Sequence, residues 1–161
     1  MSSGMILVIG NLKLPGNVPC IYAGEVHEVD CPGCVVVLSE SAAVPLIKRA
    51  AGVVVNGDCC GAIPPGRLGG VQLVTCGRCV KNTVSVTSDS GDRMTLALSR
   101  AVTTLHGVCE PMELPLERSP GITEYGCMAA FSAAVRHIPE RWTARCSAPS
   151  AVLPRAAACK D

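Results

Sequence analysis

Short β-branched runs, cut apart by glycine and proline, constrain this chain more than any other feature. Residues Cys34 to Leu38 read CVVVL, and Val53 to Val55 and Val71 to Thr75 repeat the pattern. None of these runs alternates apolar with polar, so each needs cover on both faces. That is the mark of a strand inside a parallel sheet. Met5 to Ile9 and 21-IYAGEVHEV-29 add two further strands, with Gly24 expected as a bulge or close-approach point. Between the buried runs, 41-SAAVPLIKRAA-51 reads as a short helix. Ser41 would cap it, Pro45 would sit in its opening turn, and Lys48 and Arg49 would lie near its C-terminus. Strand, helix, strand, helix or turn, strand is the order of a parallel sheet with crossovers.

After residue 80 the pattern changes. In 83-TVSVTSDSGDRMTLAL-98, two alternating runs flank Asp89-Ser90-Gly91-Asp92, which predicts a β-hairpin. His106 to Gly121 is rich in proline and turn formers and reads as a connection. From Thr123 to His137 the spacing is helical. Tyr125, Met128, Phe131, Ser132 and Val135 share one face, Thr123 stands at the cap, and Pro139 is the stop. The end, 143-TARCSAPSAVLPRAAACKD-161, is rich in Ala, Pro and Ser and is expected to be poorly ordered.

Composition excludes several classes of function. The 161 residues fit one domain with an appendage. With 14 basic and 13 acidic residues, bulk charge gives no attraction to nucleic acid or anionic membranes. The aromatics are Tyr22, Tyr125, Phe131 and Trp142, too few for base-stacking platforms. Hydrophobic content is 48%, yet no run approaches the roughly 18 to 20 apolar residues of a membrane-spanning helix. Met5 to Ile9 is short and lacks a basic flank, so the expectation is a first strand in a cytoplasmic protein, not a signal peptide.

Eleven cysteines are the unusual feature. The plain reading is that cysteine serves as a small buried residue, above all at Cys20, Cys109, Cys127 and Cys146. Six others cluster as 31-CPGC-34, Cys59-Cys60 and 76-CGRC-79. In a parallel sheet Cys31 and Cys34 precede their strand, whereas Cys59, Cys60, Cys76 and Cys79 follow theirs. A zinc site joining CPGC to CGRC would have to bridge a strand of roughly 17 Å with Zn–S bonds of about 2.3 Å. The other four thiols could instead converge at one end of the sheet, the end where α/β proteins place ligands.

The segment 35-VVVLSESAAVPLIKRAAGVVVNGDCCGAIPPGRLGGVQLVTCGR-78 resembles the swivelling phosphohistidine domain of phosphoenolpyruvate-utilising enzymes. Val44 to Ala51 followed by Gly52 to Val55 is similar to that family's "VPL-(M/I)-K-R-A" helix and its "A-G-I-V" strand. Upstream, 15-PGNVPCIYAGEV-26 resembles the family's entry segment, and Lys81 to Leu96 resembles its hairpin. The resemblance spans about residues 5 to 98. It implies an α/β fold: a swivelling β/β/α domain with a mixed, partly parallel sheet, here followed by a C-terminal helical extension. Residues 99–140 would be the connection and packing helix, and 141–161 a flexible tail.

The resemblance fails at its centre. On the family's Thr-Ser-His-Ala-Ala, Asp58 falls on the Thr, Cys59 on the Ser and Cys60 on the His, with Gly61 and Ala62 on the two alanines. The carrier histidine is absent, and Pro64, Pro65 and Gly66 break the helix that should follow. The first expectation is therefore a stand-alone homologue of the mobile domain that lacks the phosphorylatable histidine. It would act as a binding, assembly or swivelling module with a partner protein and need no cofactor. Two alternatives stay open. Cys60, beside Cys59, could be a thiol nucleophile or covalent carrier, transferase-like if active. Or Cys59, Cys60, Cys76 and Cys79 could hold zinc or an iron–sulfur cluster. Lys48 and Arg49 are candidate anion-binding residues.

Overall fold

A computed structural model of the chain describes residues 4–16, 18–59, 63–64, 66–104 and 107–137. Its strands are β1 (Met5–Ile9), β2 (Ile21–Ala23), β3 (Glu28–Asp30), β4 (Cys34–Leu38), β5 (Leu46–Arg49), β6 (Gly52–Asn56), β7 (Leu73–Cys76), β8 (Val84–Asp89), β9 (Arg93–Leu98), β10 (Val102–Thr104), β11 (Gly107–Cys109) and β12 (Met112–Glu117). A single helix, α1 (Glu124–His137), is described. The fold is mixed α/β and built mostly of strands.

Eight strands form one sheet in the order β12-β9-β8-β7-β6-β4-β1-β2. The pairs from β2 through β8 are parallel, and β9 is antiparallel to both β8 and β12. The triple-valine runs occupy the centre. Val35, Val36, Val37, Val53 and Val54 are fully buried because both faces of the sheet are covered. Val35, Val37, Val54 and Val74 turn toward the core under α1; Val36, Val53 and Val55 turn toward the opposite core with Val29 and Ile47.

The second core carries a correction. Residues 41–51, expected as a helix, contain β5, which pairs in parallel with β3 as a separate two-stranded ribbon. Pro45 leaves too few residues for a helix that is stable without strong packing, and Ile47 is better satisfied as a buried strand residue at 0% exposure. Tertiary burial overrides a weak local propensity here. The expected strand over 21–29 is likewise two strands, β2 in the main sheet and β3 in the ribbon. Gly24 meets no neighbouring atom that a side chain would strike, so it marks the exit from β2 and not a bulge.

The hairpin of β8 and β9 forms as expected around Asp89-Ser90-Gly91-Asp92, with Gly91 at φ +94°. Gly91 N–H donates to the Asp89 carboxylate at 2.9 Å. Residues 106–121, expected as a connection, contain β12 and β11, the second strand of the small β10–β11 pair. Met112, Leu114 and Leu116 do alternate, but Pro111 and Pro115 hide the pattern. Proline is tolerated because β12 is the outer strand. Of the segment after residue 98, β12 thus belongs to the main sheet and α1 covers it. The expected tail, 141–161, lies outside the described residues.

Helix α1 starts where expected. The Thr123 hydroxyl accepts the Gly126 N–H at 3.0 Å, and Tyr125, Met128, Phe131, Ser132 and Val135 are all buried. The helix packs over β4, β6, β7 and β8. No described helix is long and apolar enough to cross a membrane. Phe131→Ala should cost about 3–5 kcal/mol, read as a fall in the urea midpoint at unchanged slope. A loss under about 1 kcal/mol would show that α1 does not close this core.

Candidate functional site at the carboxyl ends of the strands

At the carboxyl ends of the long parallel strands the apolar runs give way to small or polar residues. Gly10 follows β1, Ser39 and Glu40 follow β4, Asn56 closes β6 and Asp58 and Cys59 follow it, and Cys76 closes β7. The chain leaves β1 toward β2 and leaves β4 toward β6, on opposite sides. The carboxyl ends of β1 and β4 therefore flank the switch point, where open α/β sheets hold ligands. Gly10 has φ +95°, and a side chain there would collide with Ser39 Oγ. Ser39 Oγ is buried with no hydrogen-bond partner among the described residues.

Asp58 organises the neighbouring ground. Its carboxylate accepts the Arg78 N–H at 2.6 Å, the Asn82 Nδ2–H at 2.8 Å and the Cys79 N–H at 3.4 Å. Its own N–H donates to Asn56 Oδ1 at 3.0 Å, and Asn56 Nδ2 donates to Glu40 Oε1 at 3.1 Å. Glu40, Asn56, Asp58 and the 78–82 turn are thus one network. Its tightness explains two glycines. A side chain at Gly57 would strike the Asn82 amide, and one at Gly77 would strike the Asp58 carboxylate. Partial burial opposes the Asp58 charge, but the Arg78 amide, the Asn82 side chain and the Cys79 amide outweigh it and hold the carboxyl below its ordinary range. Arg78 extends the network outward through a bidentate pair with Glu124 at 2.8 and 2.6 Å. Glu124 lies in the first turn of α1, where a negative charge suits the helix dipole.

The cysteines separate by environment. Cys59 and Cys79 are exposed. Cys76 is fully buried on the α1 side, its thiol 3.1 Å from Ser132 Oγ. Burial pushes that thiol up to about 12 despite the serine, so it is a packing residue and no nucleophile. The structure therefore does not bring Cys76 to the surface beside Cys59 and Cys79. Cys60, the first candidate nucleophile, lies outside the described residues. Among the described residues no group of three or more His, Cys, Asp or Glu is arranged to hold a metal ion. Cys31 and Cys34 lie at the opposite end of β4, as expected. Cys109 and Cys127 are buried small residues, also as expected.

Lys48 and Arg49 are on β5, not on a helix end. Lys48 Nζ lies 2.9 Å from Glu28 Oε1, and Arg49 Nε bonds Asp30 Oδ1. The four charges form cross-strand pairs along the exposed ribbon, so both candidate anion-binding residues already have carboxylate partners. Sequence reasoning missed Gly10, Ser39, Glu40, Asn56 and Asn82. The readable signal was positional: each follows or ends a buried run, or lies in the turn after it.

Asp58→Asn should lose about 1–2 kcal/mol at neutral pH, because two backbone donors and one amide lose a charged acceptor. A carboxyl whose folded pKa is depressed contributes stability above its ordinary pKa and loses it as pH falls through the folded value. The gap between Asp58→Asn and the parent in urea midpoint should therefore close below about pH 4. A gap independent of pH would show that the charge is not what holds the turn. No protein-family model, curated protein or solved structure matches the chain.

Proposed function

We propose that the chain is a stand-alone module of the swivelling mobile-domain type, without ordinary phosphohistidine chemistry, that works by docking its carboxyl-end loops on a partner protein. The observation that carries this reading is the fixed loop 56–59. Asp58, at the position corresponding to the family's Thr, spends its carboxylate on the 78–82 turn, while Cys59 beside it is exposed. Such a loop offers a rigid surface. The layering supports the same reading: ribbon β3–β5, main sheet and helix α1 follow one another as β/β/α. His27, on the link between β2 and β3, lies away from that loop in the chain and is exposed.

A second reading, from another class, draws on the exposure of Cys59 at a strand's carboxyl end. In it the vicinal pair Cys59-Cys60 is a nucleophile or covalent carrier. Intact mass of freshly purified protein, native and denatured, discriminates the readings. The docking module gives the sequence mass in both states and no phosphoryl increment after incubation with phosphoenolpyruvate. Its Cys59→Ser/Cys60→Ser variant keeps the thermal midpoint and any partner association. A covalent adduct mapping to residues 59–60, or iodoacetamide labelling of Cys60 ahead of every other thiol at pH 7, would replace the docking reading with the thiol one. A stoichiometric metal lost on denaturation would favour the metal-binding alternative.

A further inference from the structure

The end of the sheet opposite that surface holds a second pair of thiols. Cys31-Pro32-Gly33-Cys34 is a tight turn closed by a hydrogen bond from Cys34 N–H to Cys31 C=O at 3.1 Å. Pro32 occupies the second position, where its fixed φ favours the turn. A turn of this kind holds its outer Cα atoms within about 7 Å, and disulfides need about 4.4–6.8 Å. The backbone therefore already stands in range for a Cys31–Cys34 bond. Both ends are fixed. Cys31 N–H donates to the Arg49 carbonyl of the ribbon at 2.9 Å, and the Cys34 carbonyl accepts the Ala51 N–H at 2.7 Å.

The two thiols differ in access. Cys34 is fully buried in the core between ribbon and sheet, whereas Cys31 is half-buried and packs against that same core. We propose that Cys31 and Cys34 form a reversible dithiol–disulfide site, in which Cys31 takes the first attack and Cys34 closes the ring. The Cys31 thiolate attacks one sulfur of a low-molecular-weight disulfide, and that S–S bond breaks. One thiol leaves, taking up the proton that Cys31 has lost. The Cys34 thiolate then attacks Cys31 Sγ and releases the second thiol, which takes up the proton from Cys34. The two cysteines are oxidised to a disulfide, and the external disulfide is reduced to two thiols. Burial, then the charge and hydrogen bond of the adjacent Cys31 thiol, push Cys34 up to about 11. Cys34 is thus a poor first nucleophile and depends on the mixed disulfide being held beside it. The closed ring would join the first residue of β4 to the residue that follows β3, tying ribbon to sheet.

The test uses the full chain, reduced and then equilibrated with oxidised glutathione. Thiols are trapped with N-ethylmaleimide and the peptides mapped without reduction. The expected result is a loss of two hydrogens confined to the peptide carrying residues 31–34, reversed by dithiothreitol. Cys34→Ser should stop at a glutathione adduct on Cys31, and Cys34→Ala covers the case in which serine is not tolerated in that core. Cys31→Ser should abolish both adduct and ring. A wild-type chain whose Cys31 carries glutathione without closing, or whose Cys31 and Cys34 are both alkylated after oxidation, would overturn the assignment.

Discussion

The Asp58 carboxylate resolves a geometrical problem in the sheet. β7 and β8 are parallel neighbours joined only by residues 77–83, and a parallel pair ordinarily needs a crossover of about a dozen residues or more. The structure avoids the crossover by stagger: a single pair, Cys76 with Val84, aligns the end of one strand with the start of the next. The link then folds as a compact turn beyond β7. A turn of backbone N–H groups needs an acceptor, and Asp58 supplies it from the neighbouring strand end. Thr75 Oγ1 accepts the Thr83 N–H and completes the join. The antiparallel part of the sheet thus begins at a point fixed by one carboxylate, and the candidate surface is built from the same contacts.

The cover of the sheet follows from its valines. A central run buried on both faces demands two apolar layers, and the chain provides unlike ones. One is α1, which also reaches the strand ends through the Tyr125 hydroxyl, donating to the Leu38 carbonyl at 2.6 Å. The other is the ribbon together with residues 66–72. Gly69 passes so close to β5 that a Cβ would lie 2.6 Å from the Ile47 carbonyl, and Ile47 N–H donates to the Arg67 carbonyl at 2.7 Å. Coil can serve as a layer here because its backbone groups find partners: the Arg67 carbonyl on the ribbon, the Gln72 carbonyl on β6, and the Leu68 carbonyl within the coil.

What was legible in the sequence tracks how local each cause is. The buried strands, the Asp-Ser-Gly-Asp hairpin and the Thr123-capped helix rest on periodicity and turn chemistry within a few residues, and they formed as read. Residues 41–51 misled because Ser41, Pro45 and the basic pair mimic helix punctuation, while β5 forms through its pairing with β3 and the burial of Ile47 against the main sheet. β12 was hidden by Pro115, whose tolerance depends on an edge position that only the whole sheet defines. At the candidate surface, position was readable and chemistry was not. Cys76 looked equivalent to Cys79, but the neighbour that buries it, Ser132, is 56 residues away.

The two margins of the sheet are unlike. β12 presents Glu113, Pro115 and Glu117 as exposed residues. A proline carries no N–H, and a second chain laid alongside antiparallel would bring carboxylates toward carboxylates. The other margin, β2, has exposed Ile21 and Tyr22 but is three residues long, about 10 Å of backbone. An invading strand would find charge and a missing donor on one side and very little length on the other. Eight strands are therefore a stopping point: the protein can keep an open, valine-rich sheet without its edges templating fibres.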